Sequence, residues 1–415
     1  MTLPAEVAAA VDGRRLGALI RDVSTLGGLP GGGLDRQTLT KPDLDARRLM
    51  VDRCCSLGAQ PWRDPAGNFF LRWPATASDE PPVATGSHID SQPGGGTLDG
   101  AYGVCAAIEV LAALASTGAR LRRPVEAVIW TNEEGCRFAP GTMGSSAFAD
   151  PSALDEFLAA TDGSGATFGE GLAQLDAAFP DVPLRPLGVP LHAFVEAHIE
   201  QGTTLEDTAN TIGIVERIQG SRWFRFQTRG AASHAGTTPR SRKRDALAAA
   251  VEVASALYGL LTEGDDALRL TIGRLEVVPG SVNVVPAAVT FTVDLRHPDT
   301  EVLDEVEARL RALARPTAGC DVQVMRTMTM SPSLFHPAVV DAVARGARSV
   351  GLPSLRMASG AFHDSLRLIR HCPTGMVFVP SRDGLSHNTA EYTDPDDLVA
   401  GARVLAHAVA ELAGR

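Results

Sequence analysis

The segment that most constrains this chain runs from Pro81 to Glu134. "PPVATGSH" (Pro81–His88) reads as a short strand feeding the glycine-rich loop "GSHIDSQPGGGTLDG". "AYGVCAAIEVLAALASTG" follows, with Val104, Ile108, Leu111 and Leu114 at helical spacing. "VEAVIWTNEE" (Val125–Glu134) is then an apolar, β-rich run ending in polar residues. Strand, helix, strand in that order predicts an α/β fold with a mostly parallel sheet and helices on its faces. In such sheets ligands collect at the carboxyl ends of the strands. The polar residues fall there: His88 and Asp90 after one strand, Asn132, Glu133 and Glu134 after the next.

The glycine-rich loop is not a phosphate cradle. It lacks the lysine and hydroxyl that close a P-loop, and Asp99 stands where the last glycine of G-x-G-x-x-G must be. What remains is a histidine among carboxylates. His88 and Asp90, two apart at a strand end, point to the same side, and a carboxylate beside a histidine can fix its tautomer while the other nitrogen binds metal. Asp99 follows a bend that glycine permits. Taken alone, the loop reads as an ordinary turn.

Three further clusters change that reading. In "WTNEEGCRFAPGTMGS" adjacent glutamates at a strand end point different ways, so one can ligate metal while the other handles protons; two solvated carboxylates are the plainer reading. "FVEAHIEQG" places His198 in an apolar run, where a lone histidine is usually a satisfied core residue. "VPSRDGLSHNTAE" places His387 in a turn-rich loop after the apolar run "GMVFVP" (Gly375–Pro380). All four clusters sit at ends of candidate parallel strands. Together they supply the N and O donors of a zinc-type site, and the near-absence of cysteine favours a hydrolytic over a structural one.

The pattern shifts near Gly213. "GIVERIQGSRWFRFQTRG", "RLTIGRLEVVPG", "NVVPAAVTFTVDLRH" and "CDVQVMRTMTM" alternate as antiparallel strands do, with helices predicted around Ala246–Leu257 and Asp299–Ala314. This predicts an α+β domain at 214–330 inserted into a discontinuous catalytic domain, 1–213 with 331–415.

Composition excludes some partners. The 415 residues carry a formal charge of −11, so nucleic acid is not expected. The short run "RSRKR" (Arg240–Arg244) reads as a solvated helix start. No run of about 18 apolar residues suggests a membrane span. Six cysteines without a C-x-x-C pair, and an N-terminal segment with Arg14, Arg15 and Arg21 in place of an apolar leader, predict reduced thiols and a cytoplasmic location.

The residues also resemble a known family. The set H-x-D, D-G, E-E-G, H-I-E-Q-G and S-H-x-x-x-E is similar to the M20 metallohydrolases, and more narrowly to their amidase/hydantoinase/carbamoylase branch. "GGLPGGGLDRQTLT", "TNEEGCRFAPGTMGS", "EAHIEQG", "GAASHAGTTP" and "SHNTAEYT" carry that resemblance across nearly the whole chain. It implies two divalent ions per subunit (Zn2+, Mn2+, Co2+ or Ni2+) bridged by Asp99, one held by His88 and His198, the other by Glu134 and His387. It implies Glu133 as general base, Asp90 as support for His88, and His234 as a residue that holds the reacting group, often across a dimer interface. Asn283 and Arg296 become a grip for the substrate carboxylate, consistent with the arginine fork. Gln201, Gly360 and His363 become substrate neighbours. The usual wording around His363 has glycine at Phe362 and alanine at Ser365, so the pocket is expected to differ there. The implied activity is hydrolysis of a ureido C–N bond, with an N-carbamoyl-L-amino acid as substrate in a homodimer whose inserted domain is a lid and dimerisation element. Allantoate amidohydrolase and β-ureidopropionase use the same machinery. An aminoacylase or dipeptidase, and an inactive metal-binding homologue, are more distant alternatives.

Overall fold

The computed structural model describes residues 2–76, 79–262 and 266–414. Two compact units form, one from Met1–Glu216 with Leu334–Arg415, the other from Arg217–Ser333. Each boundary lies three residues beyond the position expected from sequence. The alternating run after Gly213 is two strands broken at Gln219, and the first of them belongs to the sheet of the larger unit.

The larger unit is built on strands β1 (Gln60–Arg63), β2 (Phe69–Trp73), β3 (Val83–His88), β4 (Val125–Trp130), β5 (Ala193–Ile199) and β6 (Ile212–Ile218). The smaller unit contributes β7 (Gly220–Arg229), β8 (Ser233–His234), β9 (Arg269–Val278), β10 (Val284–Val285), β11 (Ala288–His297) and β12 (Asp321–Met330). After it come β13 (Ser333–Leu334), β14 (Ser354–Ser359) and β15 (Thr374–Val379). Among the described residues the large sheet has nine strands in the order β1-β2-β4-β3-β5-β15-β6-β13, with β14 also on β6. Its centre, β4-β3-β5-β15, is parallel. The flanking β1, β2 and β6 pair antiparallel.

These central strands are buried along their whole length. That explains their continuous apolar runs, since a parallel sheet is covered on both faces. The helix Ala101–Thr117 packs on β3 and is itself covered by the helices Gly13–Ser24 and Pro395–Gly414, so it is apolar nearly all round. Each Leu or Val so buried contributes about 1.5–3 kcal/mol.

Two buried arginines pin the strand ends. The Arg36 guanidinium donates to the carbonyls of Ile89 (2.6 Å), Val23 (2.7 Å) and Leu26 (2.8 Å), which anchors the chain just beyond β3. Arg47, paired with Asp43 at 3.0 Å, donates to the carbonyls of Gly67 (3.0 Å) and of Trp130 (3.4 Å) at the end of β4. Both guanidiniums are fully buried, and their acceptors are what make that burial tolerable.

The smaller unit is an antiparallel sheet, β12-β7-β11-β9, with a separate β8–β10 pair. Along β11 alternate residues are buried, and they pack with the helices Ala246–Leu261 and Thr300–Ala312 into one core that includes Phe224, Phe226, Phe291, Leu257 and Leu310. The "RSRKR" run does not start a helix. Arg240–Arg242 form an exposed 3-10 turn, and the helix begins only at Ala246, capped by the Asp245 carboxylate on the Leu247 and Ala248 N–H groups. All six cysteines are free thiols, with Cys55 and Cys136 exposed. Among the described residues no helix is long and apolar enough to cross a membrane.

Candidate metal centre

The carboxyl ends of β3, β4, β5 and β15 converge, and the four loops deliver their polar residues to one place. Among the described residues three groups of side chains have ligand atoms within 4.8 Å of one another: His88, Asp99 and His198; Asp99, Glu134 and His387; and Glu196, His198 and His363. Asp99 belongs to the first two. Its Oδ1 lies 3.3 Å from His198 Nε2 and 3.8 Å from His88 Nε2, while Oδ2 lies 3.1 Å from His387 Nε2. His387 Nε2 is 3.5 Å from Glu134 Oε2. Glu133 Oε2 sits 3.7 Å from His88 Nε2, on the edge of the cluster.

Local backbone explains how Asp99 gets there. The Ala101 N–H donates to the Asp99 carbonyl at 2.6 Å, a γ-turn centred on Gly100 at φ 61°, ψ −47°. A Cβ on Gly100 would stand 2.3 Å from His88 Nε2. Glycine is therefore required both by the turn and by the ring beneath it.

The histidines are oriented through their other nitrogens. His88 Nδ1 is 2.9 Å from the Asp90 carbonyl, and His198 Nδ1 is 2.9 Å from the Ile199 carbonyl. Each neutral ring thus carries its proton on Nδ1 and offers Nε2 to a cation. The expectation for Asp90 is corrected in one respect: its backbone oxygen holds His88, while its carboxylate is 3.7 Å from the ring. That carboxylate instead accepts the N–H groups of Glu133 and Glu134 at 3.3 Å each, because the turn after β4 aims them at it.

Charge balance indicates what the centre wants. Burial first, then Asp364, Glu134, Asp90 and Asp99, push the Glu133 carboxyl well above its usual range. Burial and then Asp99 lift Glu134 to about 8. Burial and Asp43 lift Asp90 to about 7. Burial works to raise Asp99, but the neighbouring His198 and His387 rings outweigh it and hold the carboxyl low. Burial lowers His88 to about 4, whereas the Asp99 hydrogen bond lifts His387 to about 9. For His198, Asp99 outweighs burial and raises the ring to about 9, yet the Gly100 N–H aims at the same Nε2 from 3.2 Å, which fits a bare nitrogen. The bare form is the one a cation meets. Among the described residues no lysine or arginine pairs with Asp90, Asp99, Glu133 or Glu134. A buried excess of carboxylates with N and O donors only fits divalent cations.

The remaining predicted residues fall in different places. Gln201, at φ 59°, donates from Nε2 to Asp99 Oδ2 and to Ser386 Oγ, each at 3.0 Å, so it touches the shared carboxylate. His363 is buried edge-on against His198 with ring centres 4.5 Å apart, and its Nε2 lies 3.0 Å from Ser359 Oγ. Gly360 is exposed just beyond β14, and Phe362 is half-buried. His234, Asn283 and Arg296 belong to the smaller unit. There His234 pairs in register with Val284, and the Asn283 carbonyl accepts from Ala235 N at 2.9 Å, so the β8–β10 pair holds these two together. His234 Nδ1 accepts the N–H groups of Gly236 and Thr237 at 3.1 Å each, which leaves the neutral ring with its proton on the exposed Nε2. Arg296 Nη2 pairs with Asp294 at 2.8 Å.

Several residues here are given no role by the sequence. Gln92 donates from Nε2 to Glu134 Oε2 at 2.8 Å and from its backbone N–H to Oε1 at 3.1 Å. Glu391 accepts from the backbone of Leu98 and Asp99. Glu196, a charge inside an apolar strand, is itself a signal: it accepts the hydroxyls of Ser87 and Ser365. Ser365 thus satisfies a buried carboxylate with both its hydroxyl and its backbone N–H. Arg367 donates to Thr142 Oγ1 at 2.9 Å, and Thr142 N donates to the Glu133 carbonyl at 2.9 Å.

A mostly parallel sheet with this donor set at its strand ends defines a metal-dependent hydrolase. Residues 84–411 match peptidase family M20/M25/M40, and the chain belongs to that family. It is 36% identical to an N-carbamoyl-L-amino acid amidohydrolase of Geobacillus stearothermophilus, covering 97% of this chain and 99% of that protein. It is 33% identical to an allantoate amidohydrolase of Escherichia coli (strain K12), covering 94% and 96%. A crystal structure of an amidase of the hydantoinase/carbamoylase family from Burkholderia multivorans superposes with a TM-score of 0.91 at 41% identity, covering 98% of each chain.

Proposed function

We propose that this chain hydrolyses the C–N bond of a ureido group on a carboxylic acid, with an N-carbamoyl-L-amino acid as substrate. One water is consumed, and the products are the amino acid, carbon dioxide and ammonia. The observation that carries the hydrolytic reading is the pair of donor triads sharing Asp99, with Glu133 beside them. The choice of a ureido substrate rests on the relatives. His88, Asp99 and His198 would hold one divalent ion, and Asp99, Glu134 and His387 the other. Such ions, when bound, polarise a carbonyl and make water acidic near neutrality. Glu133, whose carboxyl holds a proton readily, takes the proton of the attacking water and returns it to the departing amine. His234 offers its Nε2–H to the developing oxyanion. Arg296 leaves Asp294 to take the substrate carboxylate. Gln201, Gly360 and His363 border the substrate.

We also read the protein as a homodimer, with the smaller unit as lid and dimerisation element. Asn283 precedes β11 and Arg296 stands near its far end; the eight steps from Ala288 to Arg296 span about 27 Å in an extended strand. One small substrate cannot be gripped by both ends of that strand, so two subunits supplying one end each fit better. Exposed Val251 and Tyr258, with Leu275 and Val278 on the edge strand β9, support an isologous contact with a second copy. The unpaired thiols support a reducing, cytoplasmic setting.

The test is ammonia release from a panel of N-carbamoyl-L-amino acids, N-carbamoyl-β-alanine and allantoate in the presence of Mn2+, Co2+, Ni2+ or Zn2+. Highest kcat/KM on an N-carbamoyl-L-amino acid supports the assignment. A faster allantoate reaction moves it to that substrate, and cleavage of N-acyl amino acids or dipeptides alone overturns it.

A further inference from the structure

The loop that carries His387 is exposed from His387 to Ala390. His387 lies eight residues beyond β15, its side chain is half exposed, and its backbone stands at φ 53°, in the left-handed region that few non-glycine residues adopt. Such a residue persists only where its surroundings fix it. Glu391, four residues later in the same loop, provides that fixing. It is buried, and its carboxylate reaches across to the Asp99 loop. Oε1 accepts the Leu98 N–H at 2.8 Å and the Asp99 N–H at 3.1 Å. Oε2 accepts the Ser386 hydroxyl at 3.0 Å, and the same hydroxyl lies 3.1 Å from Asp99 Oδ2. Charge-assisted bonds of this kind are roughly twice as strong as neutral ones. The opposing loop is shaped around this carboxylate: a Cβ on Gly96 would stand 2.0 Å from Glu391 Cδ.

We infer that Glu391 is a positioning residue that sets the spacing between Asp99 and His387, and so the affinity for the ion held by Asp99, Glu134 and His387. It touches neither substrate nor ion. This rests on the two-ion reading above, and the test separates the two. Metal-free protein is titrated with Co2+, followed by the ligand-field absorption of the bound ion and by calorimetry, with no substrate present. Wild type binding two equivalents is the condition for the two-ion reading; binding fewer defeats that reading itself. Given two in wild type, Glu391→Ala removes all three acceptor contacts and weakens one equivalent at least tenfold, leaving the other within threefold. Glu391→Gln keeps an oxygen for the Leu98 and Asp99 N–H groups and restores most of the affinity. Gly96→Ala, which displaces the carboxylate without removing it, reproduces the loss and serves if Glu391→Ala does not fold. Two tight equivalents in Glu391→Ala or in Gly96→Ala would overturn the inference. So would equal loss of both ions in the folded variants.

Discussion

Gly100→Ala isolates the feature that brings Asp99 back over His88. The substitution has two separable costs. The first is backbone strain: a side chain at φ 61° costs about 1–2 kcal/mol even in the left-handed helical region, and ψ −47° lies outside that region. The second is steric. The new Cβ would meet His88 Nε2, Cε1 and Cδ2 at 2.3, 2.4 and 2.5 Å. Carbon contacts relax only near 3.5–4.0 Å, so the ring or the turn must shift by about 1 Å or more. Histidine nitrogens bind zinc at about 2.0–2.1 Å, and a shift of that size takes the ligand out of reach. The expected result is a folded protein that loses the ion shared by His88 and His198, with activity down about 100-fold or more. Gly118→Ala is the control. It has the same φ of 61° in the left-handed region, at a helix end with no atom within 4 Å, so it pays strain without a clash. Its stability should fall by about 1–2 kcal/mol with full activity and full metal content. Metal content by elemental analysis and ureido-acid turnover decide the matter. If Gly100→Ala binds metal and turns over as Gly118→Ala does, the argument for a glycine beneath His88 is wrong.

Glu133→Gln should lower kcat by about 10²–10⁴ while leaving metal stoichiometry unchanged; equal activity in the variant would remove Glu133 from the proton path. In the metal-free protein His387 titrates near 9 and Glu134 near 8, so both hold protons at pH 7. A cation must displace those protons, so affinity at that position should climb through pH 7–9, by about tenfold per pH unit for each proton displaced, then level off. Calorimetry in buffers of different ionisation heat reads the released protons, and buffer-independent heats would contradict the scheme. His234→Ala and Arg296→Ala, each inactive alone, should recover about a quarter of wild-type activity when their subunits are mixed and exchanged, because half the dimers then hold one intact site of two. No recovery would place both residues at the same subunit's centre.

The strands and the ends that carry the donors were legible because β3, β4, β5 and β15 are fully buried and therefore written as apolar runs. The polar clusters that follow them mark where the sheet stops. The break at Gln219 was not legible, since β6 and β7 both alternate and only their pairing separates the two sheets. Asp90 supports His88 through its backbone carbonyl at 2.9 Å and not chiefly through its carboxylate, which no side-chain pattern reports. Glu391 closes the S-H-x-x-x-E pattern, but the pattern gives it no role. Its meaning lies in a contact with Leu98 and Asp99 across 293 and 292 residues of sequence, which only folding reveals. Glu196 carried a signal that was readable, a carboxylate in the middle of "FVEAHI".

The central claim is a two-ion centre that hydrolyses a ureido bond, and one titration tests it most directly. Metal-free protein receives Mn2+ or Co2+ in fractions of an equivalent, and ammonia release from an N-carbamoyl-L-amino acid is measured at each step. The account predicts turnover that rises to a plateau at two ions per subunit. A plateau at one ion, or no ureido turnover at any loading while peptides are cleaved, would contradict it.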